Sequence, residues 1–164
     1  MRLNLLLKKV TWGIVAIFAI LQVYLLLHFY DLLPVSGDAV GYVNNAIHHA
    51  IVGLPYPTAY NNYDTYIQSP GYVNFLALLY SLFGSFRIVL LFKVLFNLAI
   101  VFEIYFLAKR FFNQATAYIS VILYCLMPVN SFSSICFYNE IDYMFLALTA
   151  FCLCIYGGVK DLGF

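Results

Sequence analysis

Charged side chains are what this sequence has least of: Asp, Glu, Lys and Arg make up 9% of its 164 residues, where a water-soluble domain carries about 25%. That shortage excludes a soluble globular domain. A chain with 65% hydrophobic and 20% aromatic residues is an integral membrane protein. An excess of cations is missing too: a net charge of +1 leaves no basic face for phosphates, which excludes a nucleic-acid partner. Cysteine is sparse and unsuited to a metal. Cys125, Cys136, Cys152 and Cys154 follow no zinc-site spacing, and most sit within apolar runs, where a thiol behaves as a small hydrophobe. With no internal repeat and no low-complexity linker, residues 1–164 read as a single membrane domain.

What the sequence does hold is apolar runs of membrane length. Arg2, Lys8 and Lys9 precede an uncharged run over 10–30, which at about 1.5 Å per residue covers the hydrocarbon core. Trp12 and Tyr30 stand at its ends as interface anchors. A cleaved signal would have a shorter apolar core and a small-residue cleavage site. Phe29-Tyr30-Asp31 supplies neither, so this is an anchor helix with its basic end in the cytoplasm. Further spans are expected over 86–108, 115–133 and 140–157.

Residues 36–84 form the long segment that is not simply oily, and we read them as an external loop. Ser36-Gly37-Asp38 looks like a helix start and Gly53-Leu54-Pro55 a stop, giving an interfacial helix over 37–53. Asp38, Tyr42, Asn45 and His49 share one polar, aromatic face of it. Val40, Val43, Ile47 and Ile51 offer an apolar flank, as in a helix lying on the membrane surface. Residues 54–69 read as irregular. A second short helix over 70–84 would reach only about 22 Å, short of the roughly 30 Å a span needs.

Two topologies compete over that second helix. If 70–84 crosses the membrane, Lys109-Arg110 fall outside, against the preference of basic residues for the cytoplasmic side. If it lies flat, the clusters Arg2/Lys8/Lys9, Lys109/Arg110 and Lys160 all fall inside. The second arrangement is adopted here, and it makes Asp38 and Glu140 emerge on the same outer face. The expected fold is an all-α integral membrane protein with about four spanning helices and one or two amphipathic interfacial helices. It would sit multi-pass in the plasma (inner) membrane with a cytoplasmic N-terminus.

Asp38 is the leading chemical candidate. A carboxylate just above the membrane can take a proton from an acceptor hydroxyl or hold a divalent metal, and it can also simply cap a helix. Glu140 lies in a polar patch after Tyr138-Asn139, and two carboxylates converging there would make a metal or acid–base site. Asp142 reads as a first-turn acid complementing the helix dipole. Arg87 and Lys93, near the outer end of the 86–108 span, could meet a lipid phosphate, while Lys93 could equally snorkel to the interface. Glu103 needs a partner from another helix or a proton. The adjacent His48 and His49 point to different faces and read as surface histidines.

Several short motifs recur in a familiar order: Gly37-Asp38-x-x-x-Tyr42, Ser69-Pro70-Gly71-Tyr72, Leu82-Phe83-Gly84, Arg87, Ala108-Lys109-Arg110-Phe111-Phe112, Leu126-Met127-Pro128 and Asn139-Glu140. The series resembles the C-type membrane glycosyltransferases (GT-C fold), in the group holding protein O-mannosyltransferases, lipid A aminoarabinose transferases and bacterial mannosyltransferase-like proteins. The likeness runs through the chain, which corresponds to the N-terminal portion of such an enzyme. It implies transfer of a sugar from a polyprenyl-phosphate carrier to an acceptor glycan, lipid or protein on the external face. It maps the first-loop catalytic aspartate onto Asp38 and a second acidic residue onto Glu140, with a divalent metal ion as an optional cofactor. Arg87, Lys93, Tyr42 and Tyr72 become candidate contacts to the substrate or its lipid phosphate. There are departures: Ala39 stands where several relatives have a second acid, and Gln68-Ser69 where some have a phosphate-binding lysine.

The rival class is a non-catalytic membrane subunit or truncated relic that binds membrane lipids or partner helices, including helices of a missing C-terminal part. A small transporter is disfavoured because no expected span is broken by Gly or Pro near its middle.

Overall fold

The computed structural model describes residues 2–29, 37–56 and 68–157, with side chains from Asn4 onward. Tyr30, residues 57–67 of the irregular segment and Lys160 lie outside the described residues. The elements are α1 (Arg2–Phe29), α2 (Asp38–Val52), α3 (Pro70–Phe83), α4 (Arg87–Phe111), α5 (Gln114–Leu126), α6 (Pro128–Phe132) with a 3-10 turn at Ser133–Ile135, and α7 (Glu140–Gly157). The protein is an all-α membrane protein. Three helices are long and apolar enough to cross a bilayer, at Asn4–Phe29, Arg87–Phe111 and Glu140–Gly157. The pair Gln114–Leu126 and Pro128–Ile135 makes a fourth span if counted as one bent unit.

Helix boundaries follow local chemistry. Nothing between Arg2 and Phe29 breaks a helix, so α1 starts well before the uncharged run and carries Lys8 and Lys9 on its first turns. Likewise α4 continues through Lys109 and Arg110, cations that complement the negative end of the helix dipole. The chain then turns at Asn113, whose side chain accepts from the Thr116 N–H at 3.0 Å and caps α5. Both α2 and α3 end on glycines in the left-handed region, Gly53 (φ 71) and Gly84 (φ 66), where a side chain would be strained.

Side-chain pairs fix the helix directions. Trp12 packs on Tyr105 while Gln22 meets Asn97, so α1 and α4 are antiparallel. Tyr118 lies against Tyr105 and Tyr124 against Asn97, so α5 also opposes α4. Lys93 meets Asp142, Phe96 stacks on Phe145, and Tyr156 reaches the Phe106 carbonyl, so α7 runs parallel to α4. The C-terminus of α1 and the N-termini of α4 and α7 therefore share one end of the bundle. Among the described residues, Lys8, Lys9, Lys109 and Arg110 lie at the opposite end.

Helix α3 leaves and returns at that same shared end. Ser69, just before it, bonds to Asn139 ahead of α7, and Tyr80 in its last turn stacks on Phe86 ahead of α4. It packs chiefly on α2, and Tyr42, Val43, Ala46, Tyr72, Val73 and Leu76 bury together. A second cluster, with Phe18, Ile100, Val121 and Ile141, joins α1, α4, α5 and α7 deeper in the bundle. Because lipid tails are as apolar as these side chains, van der Waals fit and interhelical hydrogen bonds hold the spans together.

Three expectations need correction. The 115–133 span is not continuous. Met127 is extended (φ −75, ψ 115), and the helices on either side of it are bent by 65°. Pro128 has no N–H to donate, its ring would clash with the carbonyl of Tyr124, and it drives the residue before it out of the helical region. The ground on which a transporter was disfavoured therefore falls. The carbonyls freed by the break, however, are taken up internally. Asn130 Nδ2 donates to the Tyr124 carbonyl at 2.8 Å, Asn97 Nδ2 to the Asn130 carbonyl at 2.6 Å, and Gln22 Nε2 to the Ser131 carbonyl at 3.3 Å. The Tyr124 hydroxyl donates to Asn97 Oδ1 at 2.6 Å, and the Ser134 hydroxyl to Gln22 Oε1. Irregular backbone at membrane depth is tolerated when protein satisfies it in this way.

Secondly, Tyr42 and His49 of the polar face of α2 turn inward beside Val43 of the apolar flank, while Asp38 at the helix start stays exposed. Tyr42 and His49 are buried, whereas Ile51 is 77% exposed. That side packs on α3, and its polar atoms find protein partners in the flanking chain: Asn45 Nδ2 donates to Gln68 Oε1 at 3.0 Å, and His49 Nδ1 lies 2.9 Å from the Leu54 carbonyl. Thirdly, His49 is for the same reason not a surface histidine, although His48 is exposed.

Candidate active site

Three chain turns meet where α2, α3 and α7 begin. The Tyr138 hydroxyl stands 3.2 Å from where a Cβ on Gly37 would be, and Asn139 Nδ2 donates to Ser69 Oγ at 3.0 Å. Gln68 Nε2 donates to the Asp38 carbonyl at 3.3 Å, and the Gln68 N–H donates to the Tyr56 hydroxyl at 2.9 Å. Phe137 is buried beneath this junction with its ring edge against Phe86. Helix N-termini carry partial positive charge, so the place where three of them gather favours anions. Asp38 and Glu140 are each the first residue of their helix, and both are exposed.

Tyr42 and Tyr72 lie behind this rim. Both are buried and meet edge to face with ring centroids 5.0 Å apart. Burial pushes the Tyr72 phenol well above its ordinary range, and the nearby carboxylates of Asp142 and Glu140 push it further. Its hydroxyl has no hydrogen-bond partner among the described residues. Burial also raises the Cys136 thiol, against an opposing pull from Lys93.

Lys93 is placed differently from either reading of the sequence. It neither snorkels nor stands at the surface: its side chain is 0% exposed. Its Nζ sits 2.6 Å from Asp142 Oδ2, donates to the Tyr138 carbonyl, and lies 5.4 Å from the centre of the Tyr72 ring. Asp142 stands in the first turn of α7, as its sequence position suggested, but it does more than complement the dipole. It is buried, and its second oxygen, Oδ1, is without a partner among the described residues. Tyr72 and Asp142, with Phe75, Phe96 and Tyr143, line a cavity of about 210 Å³ between α3, α4 and α7.

Arg87 is exposed at the first turn of α4 and lines an apolar groove of about 270 Å³ with Leu26, Leu27, Ile88 and Leu91. Glu103, deep in α4, finds the partner it needed in Thr149 of α7, whose hydroxyl donates to it at 2.5 Å. Among the described residues no three His, Cys, Asp or Glu side chains gather as a metal site. Asp38 and Glu140 each place a carboxylate at the start of a helix at this end of the bundle.

The sequence reasoning placed Tyr138 in the polar patch but missed Asp142 and Gln68 as parts of this region. The available signal was that Lys93 and Asp142 are opposite charges, each near the same end of an otherwise apolar helix.

Comparison with known proteins adds family membership. The family described as dolichyl-phosphate-mannose-protein mannosyltransferase matches residues 68–159, from the residue before Ser69 to just past the end of α7. Asp38 and α2 precede the matched region. No curated protein and no solved structure matches the chain. Since the match spans more than half of the sequence and continues through the broken span and the 138–140 turn, the chain belongs to the dolichyl-phosphate-mannose-protein mannosyltransferase family of membrane glycosyltransferases.

Proposed function

We propose that this chain supplies the transfer site of a membrane glycosyltransferase that moves a sugar from a polyprenyl-phosphate carrier to an acceptor hydroxyl on the external face. The observation that carries the reading is the junction of the 37–38, 68–70 and 138–140 turns, which gathers Asp38 and Glu140 at the end of the bundle opposite Lys8, Lys9, Lys109 and Arg110. Basic residues prefer the cytoplasmic side, so the acidic end faces out and the N-terminus stays in the cytoplasm of a plasma-membrane protein.

In the step itself the acceptor O–H gives its proton to Asp38, and its oxygen forms a bond to the anomeric carbon. The bond from that carbon to the phosphate oxygen breaks, and the polyprenyl phosphate leaves with the electron pair. The growing negative charge on the phosphate is met by the Arg87 guanidinium at the mouth of an apolar groove suited to the carrier's hydrocarbon tail. Glu140 orients the sugar or acceptor hydroxyls from the opposite turn.

Asp38→Asn keeps size and polarity while removing the base. In the full-length protein it should cut transfer from a polyprenyl-phosphate sugar by at least about 100-fold, the lower range for general-base catalysis. Insertion in the membrane should not change. Transfer within a few-fold of wild type would remove Asp38 from the mechanism.

A further inference from the structure

The reading above leaves Lys93 unused, although among the described residues it is the cation most deeply enclosed. Its surroundings describe a clamp. Lys93 Nζ bridges Asp142 Oδ2 and the Tyr138 carbonyl, so one buried ammonium on α4 holds both the first turn of α7 and the residue two before that helix begins. The held segment is Tyr138-Asn139-Glu140. Its other contacts run to the start of α2, through the Tyr138 hydroxyl beside Gly37, and to the start of α3, through Asn139 and Ser69. A lysine with 0% exposure cannot reach water or an anionic headgroup in this arrangement, so its charge is committed to the protein. An ion pair needs no third partner to be neutral. The additional bond to a backbone carbonyl is what makes this pair act on the turn.

We propose that Lys93 is a positioning residue: by gripping the Tyr138 carbonyl while paired with Asp142, it sets the register of the 138–140 turn and hence the place of Glu140 opposite Asp38. The role of the turn in transfer rests on the reading given above, but the clamp itself does not. Two consequences separate it from an ordinary stabilising pair. Replacing both charges by apolar side chains of similar volume, Lys93→Met with Asp142→Leu, removes the cost of an orphaned buried charge, so folding should recover. The Tyr138 carbonyl, however, remains without its donor, so the turn should stay loose.

The test uses the full-length protein in native membranes, with the native cysteines replaced and Ser69→Cys and Asn139→Cys introduced on the two sides of the α3–α7 contact. A short bifunctional thiol cross-linker then reads the register of the turn without any substrate. Cross-linking should be efficient with Lys93 in place. It should fall at least tenfold in Lys93→Met and equally in the Lys93→Met/Asp142→Leu pair, even though the pair keeps the thermal stability of the parent. In the background without the added cysteines, the same pair should lower kcat for sugar transfer at least tenfold and leave KM for the carrier within about twofold. A double variant that is stable, cross-links fully and transfers at the parental kcat overturns the proposal, leaving Lys93 as a plain ion pair. Lost cross-linking with parental kcat overturns its link to catalysis. If the parent itself transfers no sugar, the glycosyltransferase reading fails separately, and the cross-linking arm still decides whether the clamp exists.

Discussion

Replacing Asn97 with leucine would remove the side chain at the centre of the broken span. Asn97 Nδ2 donates to the Asn130 carbonyl at 2.6 Å and to Gln22 Oε1 at 3.2 Å, and its Oδ1 accepts from the Tyr124 hydroxyl at 2.6 Å. The residue is 0% exposed, so no solvent or lipid headgroup can take over. Leucine leaves the Asn130 carbonyl and the Tyr124 hydroxyl without these partners, while Gln22 keeps its bond from Ser134. Interhelical hydrogen bonds measured in a bilayer average about 0.6 kcal/mol and reach about 1.7, so two lost partners cost roughly 1–3 kcal/mol. The corresponding figure for buried groups in water-soluble proteins, about 1–3 kcal/mol each, is an upper bound. The lower range applies here because the unfolded segments stay in the membrane and find other partners. Unfolding of the purified protein by titration with a denaturing detergent should therefore shift to weaker conditions. Leu95→Ala on the same helix, where the side chain is 51% exposed, should shift it less. The Asn97→Leu/Tyr124→Phe pair should cost less than the sum of its parts, since both changes break the same bond. An Asn97→Leu variant as stable as wild type would refute the idea that this network holds the break at Met127–Pro128.

Two further outcomes follow from the packing of the loop helices. A Cβ on Gly41 would stand 2.0 Å from Gln68 Nε2, whereas one on Gly71 meets nothing within 4 Å. Gly41→Ala should displace the Gln68 side chain from Asn45 and from the Asp38 carbonyl, costing about 1–2 kcal/mol and lowering transfer. Gly71→Ala, placed within a helix, should be neutral or slightly stabilising; thermal unfolding of the two variants side by side checks both. Tyr72 is held protonated by burial, so its folded pKa lies above the unfolded one of about 10. Above that pH the unfolded state releases a proton that the folded state keeps, so stability falls as pH rises further. Tyr72→Phe should reduce that alkaline loss, and ultraviolet titration should show one fewer tyrosine ionising only on unfolding in the variant than in wild type.

The membrane class, the short reach of α3 and the grouping of Asp38, Tyr42, Asn45 and His49 on one helical face were all legible, because each depends on composition or on helical spacing alone. Which way that face turns was not. A polar face on a helix beside a membrane usually meets water, but here it meets Gln68, just before the neighbouring helix, and Tyr72 within it, and only tertiary packing decides between those outcomes. The Lys93–Asp142 pair joins positions 49 residues apart; the distribution of basic residues makes α4 and α7 parallel, but nothing in the local pattern of either helix foretells that they touch. Pro128 was visible and was read through, because the apolar run continues past it. The polar residues that compensate for the break, Gln22 and Asn97, lie in two other spans, where each taken singly looks like an isolated polar substitution.

The central claim, that α3 rests at one end of the bundle so that Asp38 and Glu140 face the same outer compartment, is tested most directly by side-specific labelling. Single cysteines would be placed at Ser85, Glu140 and Arg110 in a background without the native cysteines and treated with a membrane-impermeant maleimide on intact cells. Positions 85 and 140 should react from outside, and position 110 only after the membrane is opened. Reaction of position 140 solely from the cytosol, or of 85 and 140 from opposite sides, would contradict it.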